Sequence, residues 1–180
     1  MTAAVLTHLT FEEFERLPDQ VGKLELLRGE LIDMPPAKRK HNETAHRILF
    51  FLCRLLEDLH ARGEAGQLGS VWHEMGYRMG ARSWLQPDVS ITHPNQESGD
   101  YYVGAPAVAI EVISEGNTAD AVEGKVAEYL AHGAIEVWVV YPKRGHLWVY
   151  TPNGAAAMHK TPFRSAILAD ALVDVAAFLL

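Results

Sequence analysis

The chain changes its hydrophobic period several times, and each change marks an element. From Asn42 to Arg62, the residues Ala45, Ile48, Leu49, Leu52, Leu55, Leu56 and Leu59 recur at spacings of three and four. That spacing predicts a long amphipathic helix that stops near Gly63. Ahead of it, KLELLRGELIDMP sets two short apolar runs around Arg28-Gly29, the pattern of a β-hairpin over residues 23 to 34. Thr10-Phe11-Glu12-Glu13 has the form of a capping box and predicts a short helix to Leu17, before Pro18. After GEAGQLGS the period shortens: Val71 to Met79 alternates loosely, and LQPDVSIT and PAVAIEVIS are brief β-rich runs, so three strands are expected. Helical spacing returns from Asn117 to His132 with the stripe Val122, Val126, Tyr129 and Leu130, and Gly133 ends it. AIEVWVVYP and HLWVYT then read as two strands joined by a turn over Pro142 to Gly145. The tail, Ser165 to Leu180, fits either a strand plus a short helix or a helix alone.

This order predicts an α/β fold: a mixed central β-sheet flanked by helices, with an N-terminal helix and hairpin, over one domain spanning 1–180. The stretch 106 to 141 is a strand, helix, strand crossover. With 48% hydrophobic and 22% charged residues the composition is that of an ordinary globular domain. The apolar runs are too short or too interrupted to span a bilayer, and MTAAVLTHLTFEEF has no basic start to an export signal. No membrane association and a cytoplasmic location are therefore expected. Cys53 is the lone cysteine, which excludes a disulfide framework, and its apolar neighbours read as core. A net charge of −7 argues against a protein that coats nucleic acid. It leaves room for local contact, and Lys38-Arg39-Lys40-His41 is the one concentrated basic run.

Candidate chemistry enters with Glu111, a carboxylate in the middle of an apolar strand, where an unpaired charge costs several kcal/mol. Asp88, after Pro87, begins another predicted strand close enough in the chain to be its neighbour. Two carboxylates converging there would repel unless they shared a proton, met a base or held a divalent cation. Mg²⁺ suits such a pair, because it takes hard oxygen ligands and keeps positions for water and phosphate. Lys125, beside the apolar stripe of the following helix, is an available basic partner. Plainer roles exist for each: Glu111 as an edge acid, Asp88 as a turn cap, Lys125 lying along the apolar stripe with its ammonium in water.

At these residues the chain resembles a known family. LELLRGELI, PDVSI, AIEVIS, GKVAEYLAHGAIEVWVVYP and HLWVY, in this order over roughly residues 10 to 150, are similar to the Uma-two family, a branch of the PD-(D/E)XK nucleases. The resemblance implies a restriction endonuclease-like fold with Asp88 and Glu111 as ligands of Mg²⁺, helped by the backbone carbonyl of Val112. Mn²⁺ is the expected substitute. A lysine two residues after Glu111 is missing, since position 113 is Ile, and the resemblance supplies it from the next helix as Lys125. Glu25 matches an acidic position that would complete the site, and His41 a histidine ahead of the long helix. The chain departs from the family at Tyr141-Pro142, where Asp-Pro is usual, and at Ala121, where an Asp is usual and Asp120 lies one place away.

The expectation is a Mg²⁺-dependent endonuclease acting on DNA, with Asp88, Glu111, Lys125 and Glu25 as its catalytic group and a homodimer as its possible assembly. The alternatives are an inactive nuclease-fold module for binding or assembly, which the acidic charge favours, and an enzyme acting on a small phosphorylated substrate. A histidine zinc site is not expected, because His41 and His46 do not share a helix face and no H-E-x-x-H spacing occurs.

Overall fold

The computed structural model describes residues 8–18 and 23–179. Half of the N-terminal stretch read for an export signal, Met1 to Thr7, lies outside them. Helix α1 (Phe11–Glu15) opens with the expected capping box, in which Thr10 and Glu13 exchange hydrogen bonds. Strands β1 (Lys23–Leu27) and β2 (Glu30–Met34) form the hairpin. Its two turn residues, Arg28 at φ 53° and Gly29 at φ 90°, both take the left-handed conformation that a tight two-residue hairpin requires. Helix α2 (Arg39–Ala61) begins three residues before the predicted start.

The next stretch holds more strands than its period revealed. The run from Val71 to Met79 is two strands, β3 (Val71–His73) and β4 (Tyr77–Met79), separated by Glu74 at φ 47° and placed in different sheets. Then come β5 (Ser83–Leu85), β6 (Val89–Ile91), β7 (Tyr102–Val103) and β8 (Val108–Val112). Helix α3 (Ala119–Ala131), capped by the Thr118 side chain, leads to β9 (Glu136–Tyr141) and β10 (His146–Tyr150). The tail is β11 (Ala156–His159), β12 (Phe163–Ser165), a 3₁₀ turn (Ala166–Leu168), β13 (Ala171–Val173) and α4 (Val175–Phe178), which settles its ambiguity toward strands plus a short helix.

The expected α/β architecture with a mixed sheet is present, divided between two main sheets instead of one. Six strands run β11-β10-β9-β8-β6-β3, with β8 and β9 parallel and the other pairs antiparallel. Five run β2-β1-β5-β4-β7, and β12 pairs with β13 as a small third sheet. Both faces of the six-stranded sheet are covered, so β8 is buried throughout and reads as a continuous apolar run. Val108, Ile110 and Val112 pack with α2, and Ala109, Val137 and Val139 pack with Val122, Val126 and Tyr129 of α3. Among the described residues no helix is long and apolar enough to cross a membrane.

Candidate active site

Strand register brings the two acids together. Antiparallel pairing sets Val89 opposite Ile110 and Ser90 opposite Ala109, and one step further along that register Asp88 stands level with Glu111. Residues facing each other across a pair project from the same side of a sheet. By the alternation of β8, that side is the one α3 covers. The Val112 amide closes the juxtaposition by donating to Asp88 Oδ2 at 2.6 Å.

Glu111 is buried with three donor contacts. Lys125 Nζ lies 3.2 Å from each carboxylate oxygen, and the Tyr129 hydroxyl donates to Oε1 at 2.8 Å. Lys125 and Tyr129 are four apart on α3 and so share a face. The same ammonium sits 2.6 Å from Glu25 Oε2, and the Gln86 amide donates to Glu25 Oε1 at 2.9 Å. Burial pushes the Glu111 carboxyl up to about 7, against the pull of Lys125 and with the negative charge of Glu25 and Asp88 adding to it. Burial alone would lower the Lys125 ammonium, but Glu111 and Glu25 outweigh it and hold the group above its ordinary value. Lys125 therefore stays protonated, which suits charge compensation and positioning and not the removal of a proton from water.

At the other acid, His41 Nε2 lies 3.0 Å from Asp88 Oδ1. Burial works against a charged imidazole here, yet the hydrogen bond to Asp88 prevails and raises it. His41 comes from the first turn of α2, so elements from both sides of the sheet meet at this end of it.

A cavity of about 190 Å³ opens at the junction, and its walls include His41, Asp88, Glu111, Val112, Ser114 and Asn117. The buried carboxylates of Asp88 and Glu111 on one small cavity, with Val112 beside them, offer the hard oxygen donors that Mg²⁺ or Mn²⁺ prefers, so these residues fit a divalent cation. Among the described residues no three His, Cys, Asp or Glu side chains form a metal-binding group, so backbone oxygen and solvent would complete the shell. Glu25 and Lys125 are not part of the cavity wall. Glu25, expected to complete a metal site, has Lys125 and the Gln86 amide as its neighbours.

Several contributors escaped the sequence reading. Tyr129 looked like one more apolar stripe residue, although its position four after Lys125 was the available signal. Glu128, on the adjoining face, accepts from Arg28 Nε at 2.8 Å and from Ser83 Oγ at 2.6 Å, tying the hairpin and β5 to α3. Cys53 is half-buried instead of lying in the core. Trp84 packs with Phe11 and Leu26 in a separate small core.

Residues 11–175 match the sequence pattern of Uma2, described as a putative restriction endonuclease. Among solved structures, the chain is similar to the crystal structure of a putative nuclease from Anabaena variabilis ATCC 29413, with a TM-score of 0.80 and 18% sequence identity over 96% of this chain and 99% of that one. That likeness establishes the fold, which is restriction endonuclease-like. No curated protein gives a significant match.

Proposed function

The chain belongs to the Uma2 family, and from that premise we propose that it is a metal-dependent endonuclease hydrolysing phosphodiester bonds in DNA, with Mg²⁺ as its cation and Mn²⁺ as a substitute. The observation that carries the reading is the meeting of Asp88, just ahead of β6, with Glu111 of β8, both lining one cavity. Asp88, Glu111 and the Val112 carbonyl are the groups that would hold the cation. When bound, it supplies Lewis-acid polarisation of the phosphate and a more acidic water.

The remaining residues prepare those ligands. Lys125 and Tyr129 fix the Glu111 carboxylate in one orientation, so no rearrangement is needed when it acts. Lys125 is a positioning residue in this arrangement, since it stands behind Glu111 and offsets buried negative charge. Glu25 in turn fixes Lys125. His41 and the Val112 amide hold the two oxygens of Asp88. Cutting both strands of a duplex calls for two such sites, so the proposal includes a homodimer. It also takes residues 1–180 as one domain working in the cytoplasm, where a single free cysteine is at home.

The experiment is calorimetric titration of Mg²⁺ and Mn²⁺ into the wild type and the Asp88→Ala, Glu111→Ala double variant, with nicking of supercoiled plasmid followed on the same preparations. Binding and nicking that both vanish in the variant are expected. Absence of binding in the wild type would leave Glu111 a structural acid and refute the proposal. Metal binding without nicking would favour the inactive binding or assembly module instead.

A further inference from the structure

The carboxylate cavity does not end at His41 and Ser114. Those two residues also wall a second depression of about 180 Å³ that carries Lys38, Lys40, Glu115 and Lys143. A third, of about 450 Å³, shares Ser114, Glu115 and Lys143 with the second and continues to Arg144. The three adjoin as one groove. Outside the carboxylate cavity, whose walls also carry Lys23 and Glu74, the groove holds Lys38, Lys40, Lys143 and Arg144 against a single carboxylate, Glu115. In a chain with 23 acidic and 16 basic residues, such a local excess of cations runs against the overall balance.

Glu115 is placed between two of those cations. Its Oε2 accepts from Lys38 Nζ at 2.7 Å and its Oε1 from Lys143 Nζ. The lysines come from distant parts of the chain, the start of α2 and the β9–β10 turn, and all three side chains are exposed. The hydrogen bond from Lys143, then that from Lys38, lowers the Glu115 carboxyl to about 2, so it is ionised throughout the working range.

We propose that Lys38, Lys40, Lys143 and Arg144 form the rim that takes the phosphate backbone of nucleic acid into the carboxylate cavity, and that Glu115 holds Lys38 and Lys143 in place until phosphate displaces it. The identity of the ligand rests on the nuclease reading. Phosphate oxygens would compete with the Glu115 carboxylate for the same two ammonium groups, which are exposed enough to change partner at little cost. Glu115 would thereby both preorganise the rim and weaken its grip, leaving affinity low enough for release after cleavage.

The test is fluorescence anisotropy of a short labelled DNA duplex in EDTA across a salt series, using the full chain and the variants Lys38→Ala/Lys143→Ala, Glu115→Gln and, as a remote control, Arg62→Ala. Working without metal separates the rim from the metal site. The double variant is expected to weaken binding severalfold and to lower the salt slope by about 0.9 for each lysine removed. Glu115→Gln should tighten binding, and Arg62→Ala should leave it unchanged. Wild-type affinity and slope in the double variant, no binding by the wild type at low salt, or weaker binding by Glu115→Gln would overturn the proposal. Plasmid nicking by the same proteins in Mg²⁺ tells the two readings apart. Nicking that persists beside an inert rim sinks the rim alone, and a rim effect on binding without wild-type nicking supports the rim while sinking the nuclease.

Discussion

Two charged trios, one buried behind the carboxylate cavity and one on its rim, have opposite proportions. In the inner trio, one lysine, Lys125, stands between two acids, Glu111 and Glu25, all buried. In the outer trio, one acid, Glu115, stands between two lysines, Lys38 and Lys143, all exposed. The inner trio is short of positive charge and the outer has an excess of it. Burial makes this difference matter, because a charge imbalance that water would absorb at the rim has to be met by a proton or a cation inside. The distances alone would not show it, since Lys125 to Glu25 at 2.6 Å and Lys38 to Glu115 at 2.7 Å are nearly the same.

The sharpest way to break this contrast is in catalysis. Glu111→Gln keeps the shape and removes the ionisable ligand, so Mg²⁺-dependent nicking should fall by more than about a hundredfold while circular dichroism stays native. Next in size is Lys125→Met. It leaves two buried acids unpaired and should cost about 3 to 5 kcal/mol in urea denaturation. An unchanged midpoint would mean that water or protons already neutralise the inner trio.

Acidity gives a third test. The Glu111 carboxyl, lifted to about 7, binds a proton more strongly in the folded chain than its ordinary value of 4.5 allows in the unfolded one. Its contribution to stability is therefore full below about 4.5 and lost as pH rises through about 7. A cation bound to the carboxylate reverses that penalty. Mg²⁺ should raise Tm more at pH 8 than at pH 6, and calorimetry at pH 6 in buffers of different ionisation enthalpy should detect proton release on binding. The smallest effect belongs to the outer trio: Lys143→Ala should leave Tm unchanged within error, despite the hydrogen bond it removes.

Much of this was legible in the sequence because local chemistry and tertiary need agree there. Arg28-Gly29 marked its hairpin through turn chemistry, and the leucine stripe marked α2 through burial of one face. The split into two sheets was hidden because strands of three residues carry too little period, and Val71 to Met79 reads as one loose alternation across a sharp bend at Glu74. Gly76 belongs to the same misreading. A Cβ there would meet the Trp84 ring at 2.6 Å, a packing demand that no local pattern announces. At the site, Asp88 and Glu111 stood out as acids in apolar strands. Glu25 did not, because a hairpin acid is ordinarily solvated, and only the docking of the β1 sheet against α3 buries it. The outer trio was half visible: the basic run was plain, but Glu115 and Lys143 join it only through the fold.

The β6–β8 register has a consequence for how the protein is made. Asp88 and Glu111 meet only if those strands pair in one alignment, and a slip of a single residue would turn one carboxylate to the opposite side of the sheet. Lys125 further needs Glu25, from a hairpin synthesised long before it and belonging to the other sheet. No fragment emerging from the ribosome holds the assembled group until α3 has been translated and both sheets have closed on it. Any activity of the proposed nuclease site thus waits on completion of the whole fold.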